Sequence, residues 1–453
     1  MIVRGISCVP DYGMTLFSEY FITFILTWKN LSRLKKKLRL QGIIVIGFHK
    51  WKCAFHNVER TKLRIVRRYL LKGEKMKKAL FLVLAVVMIL SMALTVQAED
   101  TIKIGFAFPM SGTAAMAGKY SSHGAQVLEN ELGGKIEING KEYAIEFIYG
   151  DTEGSEEKTV NVYQKLIEEE EVVAIIGPDS SKCALAAGPI AQNAGVANVP
   201  TFATNTAVTQ TGDYIFRACF IDPFQGSVAA TYAWESGYKT AVIMFNNADA
   251  YAVGLTDAFK ESFTALGGEV LGTEEYSGSD VKDYNVQLTK LAAKGADVLL
   301  LPNLNVELGL EIQQARAAGI TGPIICGDSA DTPEVAQVAG DAAAGVAYVS
   351  AFSAESTAPK AVEFVEKYTA LNPNELPNSN AELTYEATAM VLYALQNGGP
   401  DRESVKEALT NLEGLELPSG LMTMGPDRNP EKGAVIMQYD ENGVAHFVAA
   451  VNP

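Results

Sequence analysis

Residues 174–189 read "AIIGPDSSKCALAAGP". A short apolar, β-rich run stops on Gly177-Pro178, an acid and two hydroxyls follow, and small residues then continue for a helical length. Pro178 ends a strand because it has no N–H to give, and Gly177 lets the backbone turn. Ser180 or Ser181 can then cap a helix that runs toward Ile190. The stretch therefore predicts a strand, a tight turn and a helix N-terminus. Such a turn is either plain capping or a binding site, because a helix start offers unpaired N–H groups and a positive dipole end to an anion.

The same pattern recurs along the chain. Short apolar runs at 101–108, 143–150, 172–177, 240–246, 269–276, 297–302 and 323–327 read as strands, and stretches such as 155–170 and 251–267 read as helices. Near-continuous apolar strands alternating with helices predict an α/β fold whose parallel sheets are covered on both faces. The runs form two series, one from Thr101 to about Arg217 and one from about Gln225 to about Ser350, which implies two lobes. Helical stretches at 358–371 and 381–397 have no strand series of their own and are expected to return to the first lobe. The closing strands at 433–440 and 445–451 are assigned to the second. Lobe I is thus read as 100–221 with 351–433, and lobe II as 222–350 with 434–453, joined by a multi-strand hinge. Open α/β sheets bind ligands outside the C-terminal ends of their strands, so the strand-to-helix turns are the places to search. The strand before Gly177 is expected to be central.

Charge divides the chain unevenly. The formal net charge is −15, yet residues 1–75 hold 16 Lys+Arg against 4 Asp+Glu, and from Glu99 onward the count is 20 against 49. Between them lies "MKKALFLVLAVVMILSMALTVQA" (76–98), with a basic start, an unbroken apolar stretch and small residues at Val96 and Ala98. This reads as an export signal cleaved after Ala98, in preference to a membrane helix. Translation is then expected to begin at Met76, with 1–75 an upstream extension or a mis-assigned start. The competing reading is a basic membrane-proximal extension with an interfacial segment at Leu16–Trp28. The acidic exported body argues against nucleic acid and against anionic lipid as partners. Cys183, Cys219 and Cys326 have no CxxC spacing and read as small core residues, not as a disulfide framework or zinc site. With only His123 and His446 beyond the signal, neither a metal nor another cofactor is expected.

Two further polar turns join the first. In "NVPTFATNTAVTQTGDYIFR" (198–217), Thr201, Thr204, Asn205 and Thr206 cluster after a short strand. In "CGDSADTPE" (326–334), Asp328 or Asp331 follows a strand of the second lobe, either as a helix cap or as an acid facing the cleft. Donors on one wall and an acid on the other suit a zwitterion. The stretch "GTAAMAGKY" (112–120) fails as a phosphate loop, because its glycines are wrongly spaced and Tyr120 stands where Ser or Thr must ligate magnesium.

These residues resemble the bacterial periplasmic amino-acid-binding proteins of the leucine/isoleucine/valine type, the substrate-binding partners of ABC importers. The resemblance is carried by "FPMSGTAAMAGK" (108–119), "AIIGPDSS" (174–181), "ATNTAVTQTGDYIFR" (203–217), "DPFQGSVAATYA" (222–233), "DYNVQLTKL" (283–291), "QQARAAGITGPIICGD" (313–328) and "GVAYVSAFSAE" (345–355). It implies the type I periplasmic-binding-protein fold, two Rossmann-like lobes closing on a ligand. It also implies that Ser181 and Thr204 hold the α-carboxylate, with Ser180 in the same turn. Carbonyls near Asp179 and Phe202, beside Ala203, would accept from the α-ammonium, Asp328 would pair with it, and Tyr251 would cover the ligand. Departures are Asp179 where an apolar residue is usual, Ala117 in place of an aromatic, Leu304 near another, and a missing cysteine pair.

The expected function is capture of an amino acid, branched-chain or related, and its delivery to an ABC transporter permease by a monomeric exported protein, periplasmic or extracellular, that performs no chemistry. The alternative is a sensor module for amino acids or small amides or carboxylates, a role that normally calls for a membrane or signalling segment after the binding domain. A hydrolase would need a nucleophile and a base together, and His123 and His446 are the only imidazoles on offer.

Overall fold

A computed structural model describes residues 100–451. The expected leader at 76–98, the extension 1–75 and its segment Leu16–Trp28 lie outside them. Two mixed sheets form the frame. The first contains β1 (Thr101–Phe108), β2 (Lys135–Ile138), β3 (Lys141–Asp151), β4 (Ala174–Ile176) and β5 (Ala197–Val199), in the order β2-β3-β1-β4-β5. The second contains β6 (Thr240–Asn246), β7 (Glu269–Tyr276), β8 (Val298–Leu301), β9 (Ile324–Cys326) and β10 (Ala347–Ser350). A small hairpin, β11 (Leu415–Leu417) with β12 (Gly420–Met422), stands apart, and β13 (Ala434–Tyr439) and β14 (Ala445–Val451) complete the second sheet as β14-β13-β10-β9-β8-β6-β7. All inner pairs are parallel; β2, β13 and β14 are antiparallel additions at the edges. The sheets are therefore mixed where alternation alone predicts parallel ones. The strand before Gly177 is β4, one place from the centre, which β1 occupies.

Helices α1 (Ala115–Leu132), α2 (Glu156–Glu168), α3 (Ser181–Ala194) and the single turn α4 (Ala207–Gln210) interleave with the first sheet. Helices α5 (Asp222–Glu235), α6 (Ala250–Ala265), α7 (Asn285–Ala292), α8 (Asn305–Ala317) and α9 (Pro333–Ala339) belong to the second series. The last three, α10 (Pro359–Leu371), α11 (Ser379–Asn397) and α12 (Arg402–Thr410), return to pack on α1, β2, β4 and β5. The strands explain themselves: β4 and β8 are buried at every position, the pattern of strands covered on both faces. Cys183, Cys219 and Cys326 are buried free thiols, as small core residues should be.

The chain crosses between the lobes three times, before α5, after β10 and before β13. Buried polar groups tie these crossings together. Asp331 accepts from Tyr348 Oη and Ser350 Oγ, each at 3.0 Å, and from Ser379 N at 2.8 Å at the start of α11. Lys432, in the third crossing, pairs with the fully buried Glu386 of α11 and lies 3.6 Å from Glu382. Burial and the neighbouring Glu386 push the Glu382 carboxyl well up, whereas Lys432 and the Ser419 N–H, 2.8 Å away, hold Glu386 down. The hinge thus sets the two buried glutamates apart, with the Lys432 ammonium paired to Glu386 and the Glu382 carboxyl pushed toward its neutral form. No helix of the described residues is long and apolar enough to cross a membrane.

Candidate functional site

In each sheet the strand order reverses beside the first strand of its series. After β1 the chain pairs β3 on one side, then returns to place β4 on the other; β6, β7 and β8 repeat the arrangement. A crevice opens outside the C-terminal ends of strands at such a switch point. A cavity of about 220 Å³ lies where the loops of both switch points meet. Lobe I contributes Thr113, Ala114 and Ala117 after β1, and Asp179, Ser180 and Lys182 after β4. Lobe II contributes Ser279 after β7, Leu304 and Asn305 after β8, and Ser329 after β9.

The lobe I wall is held from below. Gly177 has φ +101°, and a Cβ there would stand 2.4 Å from Ala107 O, so the turn admits no side chain. Tyr163 Oη (2.8 Å) and Asn198 Nδ2 (2.6 Å) both donate to Gly177 O from beneath. Across the switch point, Asp151 at the end of β3 accepts from Met110 N (2.9 Å) and from Ser111 Oγ (2.6 Å), fixing the β1–α1 loop. Gly118 lets α1 approach that loop, since a Cβ would lie 2.2 Å from Pro109 O.

Ser180 occupies the backbone N-cap position of α3, but its hydroxyl caps no N–H. Ser181, the first residue of the helix, accepts from Asn205 N at 3.2 Å and so bonds the β4 turn to the 201–206 loop. That loop rests on Arg217. Its fully buried guanidinium donates to Ala203 O at 2.7 Å and to Asn205 O at 2.8 Å. Asn205 Nδ2 in turn donates to Ala250 O (2.8 Å) at the start of α6, a direct bond from lobe I to lobe II.

Of the residues singled out in the sequence, Asp179, Ser180 and Phe202 line the cavity, as do Ala117 and Leu304. Ser181, Ala203, Thr204, Tyr251 and Asp328 are buried close behind it and do not line it. Asp328 opens a short 3₁₀ turn (Asp328–Ala330), and Thr332, not an aspartate, stands at the N-cap of α9. The companion acid, Asp331, is used up in the hinge. Behind the cavity, Thr204, Asp222, Gln225, Tyr251 and Asp328 form one buried polar group to which both lobes contribute. Thr204 Oγ1, Tyr251 Oη, both carboxylates and the Gln225 amide lie close enough to affect one another, yet none makes a hydrogen bond of normal geometry. Burial raises Asp222 to about 7, with Asp328 adding to the shift and Thr204 and Arg217 opposing it. Burial raises Asp328 to about 6 against the pull of Gln225 and Tyr251. Burial likewise moves Asp179 to about 6, opposed by its own backbone and by Lys182.

This geometry is a cleft with unpaired polar atoms on both sides, a helix N-terminus on one wall and carboxylates nearby. Residues 101–444 match the profile of the periplasmic binding proteins. The chain belongs to that family. A leucine-binding protein, LivK, from Thermotoga maritima is 31% identical, with a TM-score of 0.73 over 78% of this chain and 99% of that one. The branched-chain amino acid transporter substrate-binding protein LivJ of Streptococcus pneumoniae, solved in complex with isoleucine, is also 31% identical, with a TM-score of 0.72 over 78% of this chain and all of its own. An amino-acid-binding protein of Pseudomonas aeruginosa is 27% identical over 381 residues, 82% of this chain and 99% of the relative. The fold is the type I periplasmic-binding-protein fold, and the family's members bind solutes and are not enzymes.

Sequence reading missed several residues of this periplasmic binding protein's cleft. Lys182 is the one cation in the cavity wall among the described residues, and its charge bears on Asp179 from its own lobe and on Asp249 and Glu307 from the other. Arg217 closed a quoted motif without being given a role. Asn305 and Ser329 become visible only when the ends of β8 and β9 are known to point at the same crevice as β4. Among the described residues no group of three or more His, Cys, Asp or Glu side chains is placed to hold a metal ion.

Proposed function

We propose that the protein is an exported solute-binding protein that captures an amino acid between its lobes and hands it unchanged to the permease of an ABC importer. The observation that carries this reading is the shared cavity at the two switch points, walled by both lobes and begun by the N-terminus of α3. A carboxylate suits the free N–H groups and dipole of that helix start. An ammonium suits the opposite side, where Ser329 lines the cavity and Asp328 lies behind it. Asp179, Ser180 and Phe202 are the contacts assigned to the cavity wall. Ser181, Ala203, Thr204, Tyr251 and Asp328 are assigned to the layer that ligand entry and lobe closure bring into play.

The mechanism is a hinge. The ligand docks on lobe I, and contacts added by lobe II make the closed state the favoured one, because only differential contacts shift such an equilibrium. The lobes of this reading are 100–221 with 351–433 and 222–350 with 434–453. The protein acts as a monomer in the periplasm or outside the cell, and its acidic body has no affinity for nucleic acid. Isothermal titration against the standard amino acids tests this: at least one should bind with one-to-one stoichiometry and be recovered unaltered. Heat from none of them, or a changed product in the recovered solute, contradicts it.

A further inference from the structure

The cavity wall carries more unpaired acceptor capacity than a zwitterionic backbone can use. Asp179 sits at its lobe I end; among the described residues no side chain donates a hydrogen bond to its carboxylate, and its own backbone and the charge of Lys182 are what oppose its burial. Ser180 Oγ in the same wall is buried, makes no hydrogen bond of normal geometry and is free to accept, whereas Asn305 Nδ2 across the cleft is an unpaired donor that calls for an acceptor on the ligand. Glu153 adds a second carboxylate to the lining, an exposed one that pairs with Lys158 at 3.3 Å. Among the described residues Lys182 is the one cation that lines the cavity, and it already stands in the field of Asp179, Asp249 and Glu307. The backbone position of Asp179 is set by the β4 turn, which Tyr163 and Asn198 hold at Gly177 O.

We propose that this end of the cavity selects an amino acid whose side chain carries nitrogen donors, an amide or a cation, and that Asp179 is the residue that decides it. The inference rests on the amino-acid-binding reading above. An aliphatic side chain seated here strips water from Asp179 and returns no donor, which penalises the ionised carboxylate. An acidic side chain adds like charge to Asp179 and Glu153. A side chain ending in N–H groups meets Asp179 directly, with Ser180 Oγ as a further acceptor, and where that side chain is an amide its carbonyl oxygen can accept from Asn305 Nδ2. The volume is adequate, since a cavity of about 150 Å³ already admits benzene and this one is about 220 Å³. A hydrogen bond to a charged partner corresponds to a selectivity of about ten- to a hundredfold.

The test is isothermal titration of the full chain, and of its Asp179→Leu and Asp179→Asn variants, with arginine, lysine, glutamine, asparagine, leucine, isoleucine, valine and glutamate. Melting curves confirm that each variant is folded. The parent should bind at least one nitrogen-donor ligand about tenfold or more tighter than any aliphatic one. Asp179→Leu should abolish or reverse that ranking. Asp179→Asn should lower affinity for arginine and lysine more than for glutamine and asparagine. Tightest binding of leucine, isoleucine or valine by the parent, or an unchanged ranking in Asp179→Leu, overturns the selectivity and leaves amino-acid capture standing. Binding of no amino acid from any of these classes overturns both.

Discussion

Asp222 offers the sharpest quantitative check on the buried polar group behind the cleft. Its carboxyl is 2% exposed, makes no hydrogen bond of normal geometry, and is raised from 3.8 to about 7. A raised carboxyl means the folded state holds its proton more tightly than the unfolded state. Stability is then greatest at low pH and falls as pH climbs from about 4 through about 7, after which both states are ionised and the loss is complete. At about 1.36 kcal/mol for each tenfold change in proton affinity, the whole loss is about 4 kcal/mol, of which about 2–3 kcal/mol falls between pH 5 and pH 8. With an unfolding entropy of about 2.1 cal/mol/K per residue, that interval corresponds to roughly 3–4 °C in Tm. Asp179, Asp328, Glu307 and Glu311 are raised as well and push in the same direction. The informative quantity is therefore the difference between the parent and Asp222→Asn, measured by thermal unfolding at both pH values without ligand. The parent should lose more Tm than the variant by about this amount. Equal losses in the two proteins would refute the placement of Asp222 as an uncompensated buried acid.

Three further outcomes follow from named contacts. Arg217→Met removes two short bonds to the Ala203 and Asn205 carbonyls and leaves Asp222 without its nearby cation; the cost should be about 3–5 kcal/mol in denaturant unfolding, with weakened ligand binding. Lys432→Met removes the cation paired with the buried Glu386 at a similar cost, and the Lys432→Met/Glu386→Gln pair should recover much of it, which a double-mutant cycle reads directly. Gly118→Ala forces a Cβ against Pro109 O and should cost about 1–3 kcal/mol while shifting the β1–α1 loop at the cavity, visible as a lower denaturation midpoint.

Much of the frame was legible because each lobe repeats one local code. The run at 269–276 and the closing run at 445–451 coincide with β7 and β14, since apolar and β-branched residues stop there at clear turn signals. The antiparallel edge at β2 was legible but went unread: Asn139-Gly140, both at positive φ, is a two-residue hairpin turn that reverses "KIEI" (135–138) onto the next strand. The polar turns were found, but which residue of each faces the cavity was not. Adjacent residues at a helix start point in different directions, so Ser180 lines the cavity while Ser181 turns inward to Asn205 N. Lys182 and Asn305 escaped notice because their significance lies in facing the opposite lobe, which no local pattern encodes. Asp328 and Asp331 looked equivalent in sequence; the hinge hydrogen bonds separate them.

A crystal structure of the protein grown with the tightest-binding amino acid tests the central claim most directly. The ligand should lie intact between the lobes, its carboxylate at the start of α3 and its side chain within hydrogen-bonding distance of Asp179. A ligand seated outside the two switch points, or one covalently altered there, would contradict the account.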